Sequence, residues 1–199
     1  MSFGIGNPTR RICLAALMAL CATVPALAAD APKVQFQTNM GAFVVEVYPD
    51  KAPKTVANFL QYVKDKHYDG TIFHRVIPNF MVQGGGFDTQ YAEKKSRPPV
   101  PHEGREALAR GGPRNVTGTL AMARTNDPQS ATAQFFINVQ DNPFLDPTPQ
   151  LYGYTVFGKV VSGMDVIVKM KTSPTGAGGP FASDAPKTPI VINSAILVK

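Results

Sequence analysis

The chain has 199 residues, with 20 lysines and arginines against 14 aspartates and glutamates. This mild excess of positive charge is scattered, without a basic block or basic residues interleaved with aromatic ones, so it gives no indication of nucleic-acid binding. The only cysteines are Cys13 and Cys21 near the N-terminus, which leaves the rest of the chain without a thiol for a disulfide, a nucleophile or a metal site.

The N-terminal segment has the pattern of a secretory signal. Arg10 and Arg11 precede an apolar run over residues 12–24, and Ala26 and Ala28 provide the small residues that a signal peptidase requires. The run is shorter than the ~20 apolar residues that a membrane-spanning helix needs. We therefore expect a cleaved signal and no stable membrane insertion.

The expected cleavage divides the chain into residues 1–28, which are removed, and residues 29–199, which form one domain. A lipoprotein cleaved before Cys21 is an alternative, although Leu20 stands where a small residue is preferred. The paired arginines also resemble a twin-arginine signal, so the export route stays open between that pathway and the general secretory one.

Along the domain, the first helix begins near Pro53, because proline suits a first helical position. Val56, Phe59, Leu60 and Val63 then recur at helical spacing and form one apolar stripe. A second helix is predicted over residues 164–171.

Short runs with β-strand character make up most of the domain. Residues 84–118 and 140–153 are rich in Gly, Pro, Asn and Asp and are predicted as long loops. The predicted strands are 34–39, 42–48, 71–77, 80–83, 119–123, 134–139, 155–161 and 189–198. Because closure removes exposed strand edges, these elements predict a mainly β fold, a closed eight-stranded antiparallel barrel capped by two helices.

Alternation along two strands indicates a binding surface. Phe135 and Ile137 form an ordinary core face, whereas Phe136 lies between two amide side chains on the opposite face. In the strand 71–77, Arg75 shares a face with the large apolar residues Phe73 and Ile77, and an unpaired buried guanidinium would be costly.

The alternative for this arginine is a structural salt bridge or a side chain that extends to the barrel rim. Together the two segments describe an apolar hollow with one cation and two amides, which suits a peptide with a small apolar ring. Its side chains are Arg75, Phe80, Met81, Gln83, Gln134 and Phe136.

Other catalytic patterns are missing from the sequence. His67, His74 and His102 lack metal-ligand spacing with any acidic cluster, so we expect structural roles for them and neither a metal nor a cofactor. A hydrolase remains a rival hypothesis, but no nucleophile is paired with a base.

Several longer motifs resemble those of the cyclophilins. They are Ala52–Val56 (APKTV), Phe73–Gly85 (FHRVIPNFMVQGG), Gly118–Arg124 (GTLAMAR), Gln134–Ile137 (QFFI) and Tyr154–Val160 (YTVFGKV). The resemblance covers nearly all of residues 34–198 in the family's order, and it is greatest to the exported bacterial cyclophilins.

The resemblance implies a peptidyl-prolyl cis–trans isomerase that acts without a cofactor or covalent chemistry. It implies that Arg75 is the catalytic arginine, with Phe80 and Gln83 in the catalytic group. The implied substrate-binding residues are Met81, Met122, Ala123, Arg124, Gln134, Phe136, Phe144, Leu145 and Tyr154.

Its implied partners are proline-containing unfolded or partly folded polypeptides, in the bacterial periplasm, and nothing demands more than a monomer. Phe144 stands where eukaryotic cyclophilins often have tryptophan, and Tyr154 where they have histidine, so we expect cyclosporin to bind weakly. A binding module that holds prolines with little turnover is the second hypothesis, although a pure binder would not need Arg75.

Overall fold

The computed structural model describes residues 1–4 and 30–198. Residues 5–28 of the predicted signal, and its cleavage site, therefore lie outside the described residues. The strands are β1 (Lys33–Thr38), β2 (Gly41–Val47), β3 (Thr71–Ile77), β4 (Met81–Asp88), β5 (Thr119–Met122), β6 (Phe135–Asn138), β7 (Val156–Ser162), β8 (Thr175–Gly178), β9 (Phe181–Pro186) and β10 (Ile190–Val198). The helices are α1 (Pro53–Lys64), α2 (Gly104–Ala109) and α3 (Met164–Lys171), with a 3₁₀ turn at Pro143–Leu145.

Eight of the strands form a closed antiparallel barrel in the order β1-β10-β3-β4-β6-β5-β7-β2. Phe59 of α1 packs against Phe36 and Phe157 in the barrel interior, with ring centroids 6.2 and 5.1 Å away. Ile167 and Met170 of α3 are buried in the same apolar core. The predicted eight-stranded barrel with two main helices is confirmed.

The N-terminus of α1 is stabilised from a distant part of the chain. Ala52 precedes the helix and provides no capping side chain. Instead, the buried carboxylate of Glu103 accepts hydrogen bonds from the backbone N–H groups of Lys54 (3.2 Å) and Thr55 (2.7 Å) and from the Thr55 hydroxyl (2.8 Å). A negative charge is favourable there because helix N-termini carry unpaired N–H groups and a positive partial charge.

The structure corrects the predicted loop over residues 84–118 and adds a second sheet. Strand β4 continues to Asp88, and α2 lies within the same range. Strands β8 and β9 form a separate two-stranded hairpin, in a segment whose small residues show no alternation. No helix in the described ranges is long and apolar enough to cross a bilayer.

The prediction that Phe73, Arg75 and Ile77 share a face is wrong for Phe73. Phe73 pairs with Gly84 and Arg75 pairs with Gln83, so the register shifts by one residue between them. Such a bulge reverses the side on which the following residues point. Phe73 is therefore buried inside the barrel, whereas Arg75 reaches a cavity on the outer surface.

Candidate active site

Four neighbouring strands align one row of side chains on the outer face of the barrel. Arg75 on β3 lies opposite Gln83 on β4, which lies opposite Phe136 on β6, which in turn lies opposite Ala121 on β5. Adjacent strands are about 4.8 Å apart, so the row places a cation, an amide and an aromatic ring within reach of one short peptide.

An apolar cluster separate from the barrel core forms the centre of this surface. Its buried members are Met81, Ala121, Phe136, Leu145 and Val156, and Phe80 and Tyr154 pack against it while remaining partly exposed. The rings of Phe136 and Tyr154 meet edge to face, 5.4 Å apart. The alternation predicted for β6 is confirmed, since Phe135 and Ile137 belong to the barrel core instead.

This surface encloses a cavity of about 450 Å³. All the predicted site side chains line it except Met122 and Phe144. The lining residues are His74, Arg75, Phe80, Met81, Gln83, Phe87, Ala123, Arg124, Gln134, Phe136, Leu145, Tyr154 and Phe181. The sequence did not indicate His74, Phe87 or Phe181, although His74 is next to Arg75 in the chain.

The two exceptions have simple structural reasons. Met122 follows Ala121 on β5, so its side chain points to the opposite face and is buried in the barrel core. Phe144 is 66% exposed and stacks on the ring of Phe80 from outside the cavity, with centroids 5.7 Å apart. Phe144 therefore supports the cavity's edge, and Met122 has no side-chain contact with the cavity.

Arg75 has an acidic partner that the sequence did not identify. Its Nε lies 3.8 Å from Oδ2 of Asp184 on β9, and the two side chains are 41% and 36% exposed. This distance is an ion-pair contact rather than a hydrogen bond. Arg75 is therefore partly exposed and paired with a carboxylate, as the alternative of a salt bridge predicts. Arg75 also lines the cavity.

The amides of the site are held by one another and by a close backbone approach. Gln83 Nε2 donates a hydrogen bond of 3.2 Å to Gln134 Oε1. A Cβ at Gly86 would lie 2.5 Å from the Gln134 side chain, so the absence of a side chain at this position leaves room for Gln134 above β4.

Arg124 fastens the loop that carries Tyr154. Its Nε and Nη2 donate to the carbonyl of Gly153 at 3.1 and 2.9 Å. Its guanidinium also lies over the Tyr154 ring, 4.6 Å from the centroid, where a cation is attracted to the aromatic face. These contacts set the position of one wall of the cavity.

A buried polar network supports the opposite wall. Asn142 Nδ2 donates to the carbonyl of Phe80 at 2.9 Å and to Asn138 Oδ1 at 2.8 Å. Next to Leu145, Asp146 accepts hydrogen bonds from the backbone and side chain of Asn115 at 2.8 and 3.0 Å. The network therefore fixes the two segments that carry the cavity residues Phe80 and Leu145. The sequence patterns did not reveal this network.

His67 and His74 are buried in different surroundings, and His102 is half-buried. Burial, followed by the nearby positive charge of Arg75, lowers the pKa of His74 to about 4. Burial also lowers the pKa of His67, whose Nε2 lies 3.1 Å from the Gly85 carbonyl, and that of His102. Within residues 1–4 and 30–198, no three His, Cys, Asp or Glu side chains are grouped to hold a metal.

Comparisons with known proteins identify the family of this chain. The family model for the cyclophilin-type peptidyl-prolyl cis–trans isomerases (described as including CLD) matches residues 33–196. A peptidyl-prolyl cis–trans isomerase of Acinetobacter baylyi is 51% identical over 161 residues, covering 81% of this chain and 82% of its own. Isomerase B of Escherichia coli is 49% identical over 164 residues, covering 81% and 96%, and isomerase A of Dickeya dadantii is 47% identical over 184 residues, covering 92% and 94%.

The fold is also similar to that of a solved cyclophilin-type isomerase from Cryptosporidium parvum. That structure aligns with a TM-score of 0.66 at 23% identity and covers 85% of this chain and 98% of its own. The extent of the family match and the identity to bacterial isomerases lead to one conclusion. The chain belongs to the cyclophilin-type peptidyl-prolyl cis–trans isomerases, enzymes that accelerate rotation about the peptide bond before proline.

Proposed function

We propose that Arg75 is the catalytic residue of this isomerase and that the apolar hollow beside it binds the proline ring. The observation that carries the proposal is the row of Arg75, Gln83 and Phe136 across three adjacent strands. A guanidinium and a buried aromatic floor thus face the same cavity, within reach of one short peptide.

The chemistry follows from the electronic structure of the peptide bond. Rotation about the X-Pro bond has a barrier of about 18–20 kcal/mol, because the nitrogen lone pair is delocalised into the carbonyl. In the twisted transition state that lone pair is localised on the prolyl nitrogen. A hydrogen bond from Arg75 to this nitrogen is then stronger in the transition state than in the ground state, which is the requirement for catalysis.

The remaining residues bind and orient the substrate. Phe80, Met81, Phe136 and Leu145 surround the proline ring and exclude water from it. Gln83 holds the substrate carbonyl, and the main chain at Ala123 and Arg124 also binds the substrate backbone. A solved relative was crystallised in the presence of the dipeptide Ala-Pro, and a small prolyl peptide of that kind fits a cavity of about 450 Å³.

Steady-state kinetics on an X-Pro peptide test the role of Arg75. Arg75→Ala is expected to lower kcat by about 10²-fold, the usual cost of removing one donor to a transition-state charge, with little change in KM. Arg75→Lys keeps a donor but loses the planar guanidinium, and it is expected to retain intermediate activity. An unchanged kcat in folded Arg75→Ala would show that another group accelerates the rotation.

We also propose that the enzyme is exported to the bacterial periplasm and assists the folding of exported proteins. The supporting observation is the basic, apolar and small-residue order of residues 1–28. Expression of the full chain in a Gram-negative host, followed by mass measurement of the periplasmic protein, is expected to give a chain that begins at Ala29. A full-length cytosolic product would contradict the proposed export, and a lipid-modified N-terminus at Cys21 would contradict the cleavage before Ala29.

We also propose that the enzyme binds cyclosporin weakly and that it is a monomer. Phe144 has no indole N–H to donate, and its ring is engaged on Phe80. Titration of the purified protein with cyclosporin is expected to inhibit turnover only at high concentration, and tight inhibition would contradict this proposal.

Light scattering of the purified protein is expected to give the mass of one chain. The mass of a dimer would contradict the proposal of a monomer.

A further inference from the structure

The hairpin formed by β8 and β9 brings an acidic side chain to the candidate catalytic arginine. Between Gly176 and Gly178 of β8 lies one residue, whereas three residues of β9 lie between their partners Ala185 and Phe181. Residues 182–184 therefore bulge out of the ladder, and a bulge can redirect a side chain. Asp184 lies in this bulge with φ of 65°, in the left-handed region that aspartate tolerates better than most residues.

Aromatic contacts fix the hairpin against the barrel. Phe181 stacks on the ring of His74 with centroids 5.1 Å apart and meets Phe87 edge to face at 5.3 Å. Gly178 and Gly179 leave room for the side chain of Tyr91, since a Cβ at either position would lie within 2.5 Å of one of its atoms. The bulge is therefore held beside Arg75 by a packed cluster.

The contact involves one particular part of the guanidinium. Asp184 Oδ2 faces Nε of Arg75 at 3.8 Å, which is the nitrogen closest to the arginine's own chain. Since the ion pair is made through Nε, it orients the group without requiring the two terminal nitrogens, which are the donors that can reach a substrate. Both side chains are partly exposed, and without such a partner the long arginine side chain would sample several rotamers.

We propose that Asp184 is a positioning residue for Arg75, which makes the β8–β9 hairpin part of the catalytic apparatus. This inference rests on the proposed role of Arg75 in catalysis. Asp184 does not touch the substrate and acts only by restricting the guanidinium to orientations that face the prolyl nitrogen. Removing its charge should therefore slow turnover while leaving the apolar hollow, and with it substrate binding, intact.

The test combines kinetics with a double-mutant cycle. Asp184→Asn is expected to lower kcat about two- to five-fold with KM unchanged, because an ion pair of this exposure contributes little more. Asp184→Glu is expected to recover part of the loss. In an Arg75→Ala background, Asp184→Asn should have no further effect, a result that a merely structural role would not produce.

Asp165→Asn is the matched control. It removes the same charge from an exposed ion pair with Lys169 on α3, away from the cavity, and should leave kcat unchanged. In the ¹⁵N spectrum of Arg75, Asp184→Asn should shift the Nε resonance and lower its order parameter.

Three results would overturn the inference. The first is an unchanged kcat in Asp184→Asn, and the second is an equal loss of kcat when Asp184→Asn is added to Arg75→Ala. The third is a raised kcat in Asp184→Asn, which would mean that Asp184 keeps Arg75 away from the substrate. The failure of the proposed function is distinguishable, because in that case Arg75→Ala alone would leave kcat unchanged.

Discussion

Acid should destabilise this protein through His74, whose ring lies in the aromatic cluster between the barrel and the hairpin. The residue is 1% exposed, and its Nδ1 has no hydrogen-bond partner among the described residues. Its pKa is lowered from 6.5 to about 4 by burial and by the charge of Arg75. The folded protein therefore keeps this ring neutral at pH values where the unfolded chain protonates it.

The sign and size of the effect follow from proton linkage. Because the unfolded state binds the additional proton, the free energy of unfolding decreases as the pH falls from 6.5 towards 4. This stabilisation is fully present above pH 6.5. It amounts to about 3 kcal/mol, because the pKa of His74 differs between the unfolded and folded states and each unit of that difference corresponds to about 1.36 kcal/mol. By pH 5 about 2 kcal/mol of it should be lost.

Urea denaturation followed by circular dichroism at pH 7.5 and pH 5 measures this loss. The matched variant is His74→Phe, which keeps an aromatic ring in the cluster and leaves His67 and His102 in place. The wild type should lose about 2 kcal/mol more than the variant between the two pH values. An equal loss in both proteins, or a pKa of His74 near 6.5 in a direct NMR titration, would refute the reasoning.

Three other substitutions test the supports of the fold and the cavity by thermal or urea unfolding. Glu103→Gln should lower the free energy of unfolding by about 1–2 kcal/mol, because the N-terminus of α1 loses a charged acceptor; an unchanged melting temperature would rule out the capping role. Asn142→Ala should cost about 1–3 kcal/mol by leaving the buried Asn138 Oδ1 without its hydrogen-bond donor and should also raise KM, whereas a loss of stability alone would separate this network from the site. Phe136→Ala should cost about 3 kcal/mol and weaken prolyl-peptide binding; unaltered binding would mean that the ring does not form the proline pocket.

Regular strands were predictable from the sequence because their side chains alternate without interruption. In β6 this alternation separated the core residue Phe135 from the cavity residue Phe136, and the structure has the same arrangement. In β3 the same reasoning put Phe73 with Arg75, and it was wrong because a register shift lies between them. Bulges depend on pairing between strands, which a single strand's pattern does not contain.

The hairpin was not predictable for a related reason. Residues 175–186 consist mainly of Gly, Ala, Pro and Ser and carry no alternating apolar pattern. Phe181 and Asp184 reach the site through tertiary packing on His74 and Arg75. The motifs that resemble the cyclophilins supplied most of the cavity residues, whereas the partners that orient those residues became visible only in the fold.

The role of Arg75 is tested most directly by exchange NMR on a saturating X-Pro peptide, with the full chain and its Arg75→Ala variant compared side by side. This measurement separates binding of the peptide from interconversion of its cis and trans forms on the enzyme. The account predicts that both proteins bind the peptide with similar affinity and that interconversion is about 10²-fold slower in the variant. Equal interconversion rates in the two folded proteins would contradict the assignment of catalysis to Arg75.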